Sequence, residues 1–329
     1  MELKEQVPFF WQRNAWDQLL RARRHGRLPH ALLFSGPQGV GKSLVATALA
    51  RALLCRQPDE SGRACGSCRS CRLLAAGSHP DFHQLTPEEG SSQIRIDAIR
   101  RLLDESTLSV GEEGHRVFIL DPAERLGMAA ANALLKTLEE PLAGIHLLLV
   151  TAHPERLPVT IRSRCQQVRI APPAQEEAEA WLAEMAGLPA ERAREALRLG
   201  GGAPLAALEM TEADRDLQYR RMQQEFLALS RGKGDPLAIA ATWLKELELP
   251  ALLEYLASWL LMLLRGTLTE RVDGGPAVPQ EAGQQLDLRS VYELLDNLFE
   301  SQRNLNHNLN PQLVLEDLLL QWVRIPKGG

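Results

Sequence analysis

Three stretches of the chain are built around unbroken apolar runs: His30 to Phe34, His115 to Asp121, which ends in a carboxylate, and Ile145 to Val150. Runs of this length without alternation predict strands buried on both faces, as in a parallel sheet. The run Phe82 to Leu85 predicts a shorter strand. Helical spacing lies between them. Asn14 to His25 carries Trp16, Leu19 and Leu20 on one face, an Ala/Leu-rich stretch follows Ser43, and Ile94 to Ser106 carries Ile94, Ile99, Leu102 and Leu103. Ala129 to Glu140 reads as a helix stopped by Pro141. Strands alternating with helices predict a parallel α/β sheet whose ligands sit at the carboxyl ends of the strands.

The pattern then changes. Ala171-Pro-Pro173 reads as a linker, and Gln175 to Met185 and Ala190 to Leu199 are helical, closed by Gly200 to Gly202. From Glu209 onward only helical patterns remain, broken at Gly232 to Pro236 and by a Gly/Pro-containing loop at Thr267 to Gly283. Leu313 to Val323 suits a helix bundle or a subunit contact. The expected parts are therefore an α/β domain over 1–170, a small helical domain over 171–208 and an all-α domain over 209–329.

A chain of 329 residues exceeds one ordinary core. Its net charge of -5 argues against binding nucleic acid alone through a basic surface. The run Arg21-Ala-Arg-Arg-His-Gly-Arg27 could touch phosphate, although a solvated helix face explains it more simply. Met-Glu-Leu-Lys-Glu at the start lacks the apolar core of a signal peptide, so a cytoplasmic protein is expected. Leu256 to Leu264, flanked by Glu254 and Arg265, is too short for a bilayer and predicts a buried helix, with no membrane role.

Two motifs carry chemistry. Gly36-Pro-Gln-Gly39-Val-Gly41-Lys42-Ser43 is a complete phosphate-binding loop in strand-loop-helix context. Its glycines let backbone N–H groups cradle phosphate at a helix N-terminus, Lys42 adds a charge and Ser43 a magnesium ligand, so ATP or ADP with Mg2+ is the expected occupant. Cys55, Cys65, Cys68 and Cys71 form C-x9-C-x2-C-x2-C, a module of about 55–72. In a reducing compartment four thiolates from tight turns suit tetrahedral Zn2+, with exchange of one cysteine for His79 or His83 as a variant and free thiols as the plain alternative. A closed four-sulfur site has no position for water, so this zinc is expected to be structural.

These motifs, together with Asn132-Ala-Leu-Leu-Lys-Thr-Leu-Glu-Glu-Pro141 and Glu155-Arg-Leu-Pro-Val-Thr-Ile-Arg-Ser163-Arg164-Cys165, resemble the bacterial DNA polymerase III clamp-loader subunits, a branch of the AAA+ proteins. The resemblance covers roughly the first 210 residues. It implies an AAA+ P-loop domain with a zinc-binding insertion, a helical lid and an all-α collar. The family's motors carry Asp-Glu-x-His after the third strand, where the Asp serves magnesium and the Glu polarises water. Here that place reads Asp121-Pro122-Ala123-Glu124, so the resemblance leaves Asp121 for the metal and puts proline where the catalytic glutamate belongs. Thr151 matches the sensor-1 position, and Leu205 stands where the sensor-2 arginine belongs. Ser163-Arg164-Cys165 is retained, and Arg164 by resemblance is an arginine finger acting in trans on a neighbour's ATP. The implied role is a non-motor stator in a five-membered ring with three gamma/tau motors and a delta subunit, which places a sliding clamp on primed DNA. An authentic ATP-hydrolysing clamp-loader motor, or another AAA+ ATPase, is the competing reading.

Overall fold

The computed structural model describes residues 7–59, 61–88, 93–107, 114–211, 215–269, 287–304 and 310–325. Two compact units meet in sequence between Glu209 and Met210. In the first, a five-stranded parallel sheet runs β2-β3-β4-β1-β5, with β1 Ala31–Ser35, β2 Phe82–Leu85, β3 Arg116–Leu120, β4 Ile145–Thr151 and β5 Gln166–Arg169. Every residue of β1, β3 and β4 is buried, as the apolar runs at their centres predict.

Alternation sorts these strands onto two cores. Leu32 and Phe34 face one way with Val117, Ile119, Leu148 and Val150, covered by α1 (Arg13–Arg24) and α2 (Lys42–Leu54). Leu33, Phe118, Leu120, Leu147 and Leu149 face the other way, covered by α4 (Ile96–Thr107) and α5 (Met128–Glu139). Ile94 stands outside α4 and pairs with Leu126 in an isolated parallel bridge. The predicted Leu103 lies at a position whose side chain is outside the described residues.

Two elements escape the hydrophobic pattern. β5 is an edge strand in which only Val168 is buried, and α3 (Arg69–Ala75) lies within the cysteine segment. A short helix, α6 (Val159–Arg162), leads into β5. After the sheet, α7 (Gln175–Ala186), α8 (Ala190–Leu199) and α9 (Pro204–Thr211) pack around Ala178, Leu182, Ala193, Ala196 and Leu197.

One buried ion pair ties the edge of the sheet together. Asp81, just before β2, accepts from Arg116 Nε at 2.9 Å and Nη2 at 2.7 Å, and both residues are buried. Removing one partner strands a charge in the interior, so Asp81→Ala is expected to destabilise this unit by about 3 kcal/mol. The denaturant midpoint measures the loss, and adding Arg116→Met to Asp81→Leu should recover most of it.

The second unit is helical: α10 Arg215–Ser230, α11 Pro236–Glu246, α12 Leu249–Thr269, α13 Leu288–Arg303 and α14 Pro311–Arg324. Trp322 stacks on Phe226 at 4.3 Å and its indole N–H donates to the Phe226 carbonyl at 2.7 Å, while Trp243 donates to Glu225. The run Leu256 to Leu264 is the middle of α12. That helix continues to Thr269, three residues into the expected loop, and the remainder of the loop lies outside the described residues. No described helix is long and apolar enough to cross a membrane.

Candidate nucleotide and metal sites

Parallel register brings the carboxyl ends of β1, β3 and β4 together, with Ser35 opposite Thr151 and Asp121 following directly on Leu120. The phosphate loop leaves β1 at this edge. Gly39 and Gly41 have φ of 78° and 80°, a left-handed backbone that a side chain resists. Space is equally restrictive: a Cβ on Gly39 would lie 2.3 Å from Ala206 Cβ, and one on Gly41 would lie 2.4 Å from Gln12 Nε2. Gly36 is hemmed in as well, with the Ile170 carbonyl oxygen 2.0 Å from where its Cβ would stand.

The loop opens α2, and no side chain caps that helix. Its first-turn N–H groups are therefore free of side-chain acceptors and aimed into the loop, where they suit an anion. Lys42 is buried and donates to the Pro37 carbonyl at 2.7 Å. Burial lowers its pKa from the ordinary lysine value, opposed by Glu124 and Asp121. Burial likewise raises Asp121, opposed by a hydrogen bond from Ser43 and by Lys42. Lys42, Ser43, Asp121 and Glu124 thus share one electrostatic site. Thr151 ends β4 beside it, its hydroxyl accepting from His153 N at 3.0 Å, and Glu124 accepts from Ala152 N at 3.3 Å. These residues fit a phosphate with a divalent cation, the ammonium and helix end holding the anion and Ser43 with Asp121 the metal.

Pro122 directly follows Asp121 and offers neither a carboxylate nor an N–H. Leu205 touches the loop itself. Its backbone N–H donates to the Gly39 carbonyl at 3.0 Å, and its Cδ1 lies 2.9 Å from where a Gly41 Cβ would stand. An apolar side chain and a main-chain bond thus join the start of α9 to the phosphate loop. Gln12 is a second contact hidden in the sequence. Fully buried, it donates to the Val40 carbonyl at 2.9 Å while its Oε1 accepts from Phe9 N at 3.1 Å, and Trp11 Nε1 donates to the same Val40 carbonyl. Gln12 lies in a short 3-10 turn before α1, and a lone buried amide leaves no periodic signal.

Arg164 lies apart from this cluster, between α6 and β5. It is exposed, pairs with Glu139 at the end of α5 at 2.6 Å and donates to the Thr160 carbonyl at 3.1 Å. Cys165, the next residue, is buried in the second core, and burial pushes its thiol up to about 12. A buried cysteine beside an exposed arginine fixes which way the segment faces.

The four predicted cysteines converge at the far end of α2. Their sulfurs all lie within 4.8 Å of one another, with Cys55–Cys68 and Cys65–Cys71 each at 4.0 Å. A tetrahedron of thiolates around zinc, with Zn–S of about 2.3 Å, has sulfur–sulfur edges of about 3.8 Å. The cluster could hold a metal ion of that size. Two ligands come from helix ends and a third from inside a helix, not from tight turns as expected: Cys55 follows the last residue of α2, Cys68 caps α3 and Cys71 lies in its first turn. The reason is local, since Cys68 Sγ accepts from Cys71 N at 3.4 Å and so starts the helix. Backbone N–H groups from Cys68 and Ser67 bring the Cys65 thiol down to about 6. His79 is engaged elsewhere, between Ser70 Oγ at 2.8 Å and Asp81 N at 3.1 Å, and His83 stacks on Phe118.

Comparison with known proteins adds what geometry cannot. The family model described as "DNA polymerase III, delta subunit" matches residues 11–174, and that described as "DNA polymerase III, delta subunit, C terminal" matches residues 214–324. DNA polymerase III subunit delta' of Pseudomonas aeruginosa is 38% identical over 327 residues, covering 97% of this chain and 98% of that protein. The chain belongs to the DNA polymerase III delta-prime family. The delta' subunit of Escherichia coli K12 is 35% identical, with 94% of each chain covered. A gamma subunit-related protein of Thermotoga maritima shares the fold at 19% identity with a TM-score of 0.51, covering 92% of this chain and 98% of that one. The delta-prime relatives thus extend through both units, so the helical second unit belongs to the family as much as the sheet does.

Proposed function

We propose that this chain is the stator of a clamp-loading ring in the bacterial cytoplasm, holding nucleotide without turning it over and acting in trans through Arg164 on the ATP of a neighbouring gamma/tau motor. Three motors and a delta subunit complete the ring, which opens the sliding clamp and places it on primed DNA. A single observation carries the reading: Lys42, Ser43 and Asp121 are gathered around a complete phosphate loop, while Pro122 stands where a motor needs its catalytic glutamate. Binding needs only the first set of groups. Hydrolysis needs a base or water-positioning group as well; proline supplies none at the position after Asp121, and the carboxylate of Glu124, which starts two residues further on, accepts from Ala152 N.

Leu205 supports the same conclusion. A sensor arginine would bring positive charge to the γ-phosphate, whereas leucine brings none and its N–H is already committed to Gly39. The purified chain should bind an ATP analogue with magnesium, lose that binding on Lys42→Ala, and show ATP turnover no faster than the Lys42→Ala variant. Robust ATPase activity abolished by Lys42→Ala would make the chain a motor and end the stator reading. The metal in the four-cysteine cluster is zinc in this reading, and its part is structural.

A further inference from the structure

The chain is acidic overall, yet its amino-terminal quarter is strongly basic. Between Val7 and His79 it carries ten arginines and Lys42 against Asp17, Asp59 and Glu60. The surface that collects this charge is distinct from both sites described above. A groove of about 490 Å3 runs between α1 and the turn that precedes the second cysteine, lined by Arg13, Arg21, Arg24 and Arg63, with Asp17 as its acidic residue.

Two features make the groove a fixed structure. The turn is tied by Asp59, whose Oδ1 accepts from Arg63 N at 2.8 Å and from Ser61 Oγ at 2.7 Å. It is then seated on α1 at Gly62, where φ is 78° and a Cβ would lie 2.6 Å from Leu20 Cδ2. Arg63 is thereby held opposite the arginines of α1. On α1 itself, Arg13, Asp17, Arg21 and Arg24 recur at helical spacing along one face and are all exposed. Arg21 Nε donates to the Asp17 carbonyl at 3.2 Å, which lays the guanidinium against the helix. From Arg13 to Arg24 the stripe covers about 16 Å at 1.5 Å per residue.

We infer that this groove binds the backbone of single-stranded nucleic acid. Guanidinium groups match phosphate bidentately, and a row of four of them, with Asp17 the acidic residue among the described residues lining the groove, favours a polyanion over a lone anion. Pro8, Trp16 and Leu20 contribute apolar surface to the groove. A positively charged groove that tracks the backbone is how single strands are held without sequence preference. The inference goes beyond the stator reading and does not depend on it, because neither Arg164 nor the phosphate loop takes part.

The test is fluorescence anisotropy of a fluorescein-labelled 20-nucleotide oligo(dT) with the full zinc-loaded chain, titrated from 50 to 250 mM salt. About three phosphate contacts give a slope of log K against log salt near -2 for a single strand. The variant Arg21→Glu/Arg24→Glu/Arg63→Glu should bind at least tenfold more weakly with a flattened slope, its circular dichroism and zinc content unchanged. Arg289→Glu, an exposed change in the second unit, should leave binding as it is. Wild-type affinity in the triple variant, equal loss in Arg289→Glu, displacement by ATP, stronger competition by polyglutamate than by unlabelled oligo(dT), or equal affinity for a 20-base-pair duplex would each overturn the assignment.

Discussion

An Arg164→Ala chain assembled with motor and delta subunits is expected to slow ATP hydrolysis at the site it faces by about 10³-fold, the lower end of what a trans-acting arginine contributes. That factor corresponds to about 4 kcal/mol of transition-state stabilisation. The contacts Arg164 makes within the chain are weak by comparison. Its pair with Glu139 is solvent-exposed, and such pairs are worth about 0–1 kcal/mol. Exchanging Glu139 for a developing phosphate charge therefore costs little. Single-turnover hydrolysis on DNA measures the effect, and Glu139→Ala should leave the rate within about twofold, since it removes only this resting contact. If Lys42→Ala slows the assembly and Arg164→Ala does not, the chemistry belongs to this chain's own loop and the trans role falls.

Removal of the zinc proposed for the four-cysteine cluster is expected to be the second large effect. Structural zinc sites hold their metal with apparent free energies of about 10 kcal/mol or more, and that energy is folding energy for the residues around the ion. The chain should carry one zinc per molecule by elemental analysis. With the metal chelated, or with Cys65→Ser and Cys68→Ser together, the thiolates repel and the segment between Cys55 and Cys71 loses its centre. Trypsin should then cut at Arg56 and Arg63 at least tenfold faster than in the loaded chain. The sheet should survive, because Ser70 still donates to the Leu54 carbonyl at 2.5 Å and Asp81 still holds Arg116. Far-ultraviolet circular dichroism separates the outcomes: a loss confined to the module supports this picture, and cooperative loss of the whole spectrum would show that the sheet itself requires the metal.

How much of this was legible in the sequence follows from what each residue is buried against. β1, β3 and β4 are covered on both faces, so most of their positions are apolar and the runs were visible. β5 has one covered position, Val168, and edge strands of that kind leave no pattern. The phosphate loop and the cysteines were readable because their chemistry fixes their spacing. Gln12 and the main chain of Leu205 were not, since the first is a single buried amide and the second acts through an N–H that every residue but proline possesses. The basic stripe was visible as composition, but its seat against Gly62 depends on a turn that brings together residues about forty positions apart.

One helix links the two ends of this domain's chemistry. α2 begins at Lys42, inside the phosphate loop, and hands over to Cys55, the first thiolate. Its 13 residues make a rod of about 20 Å with no glycine or proline to bend it. The phosphate loop and the four-cysteine cluster are thus held at a separation set by the length of a single helix.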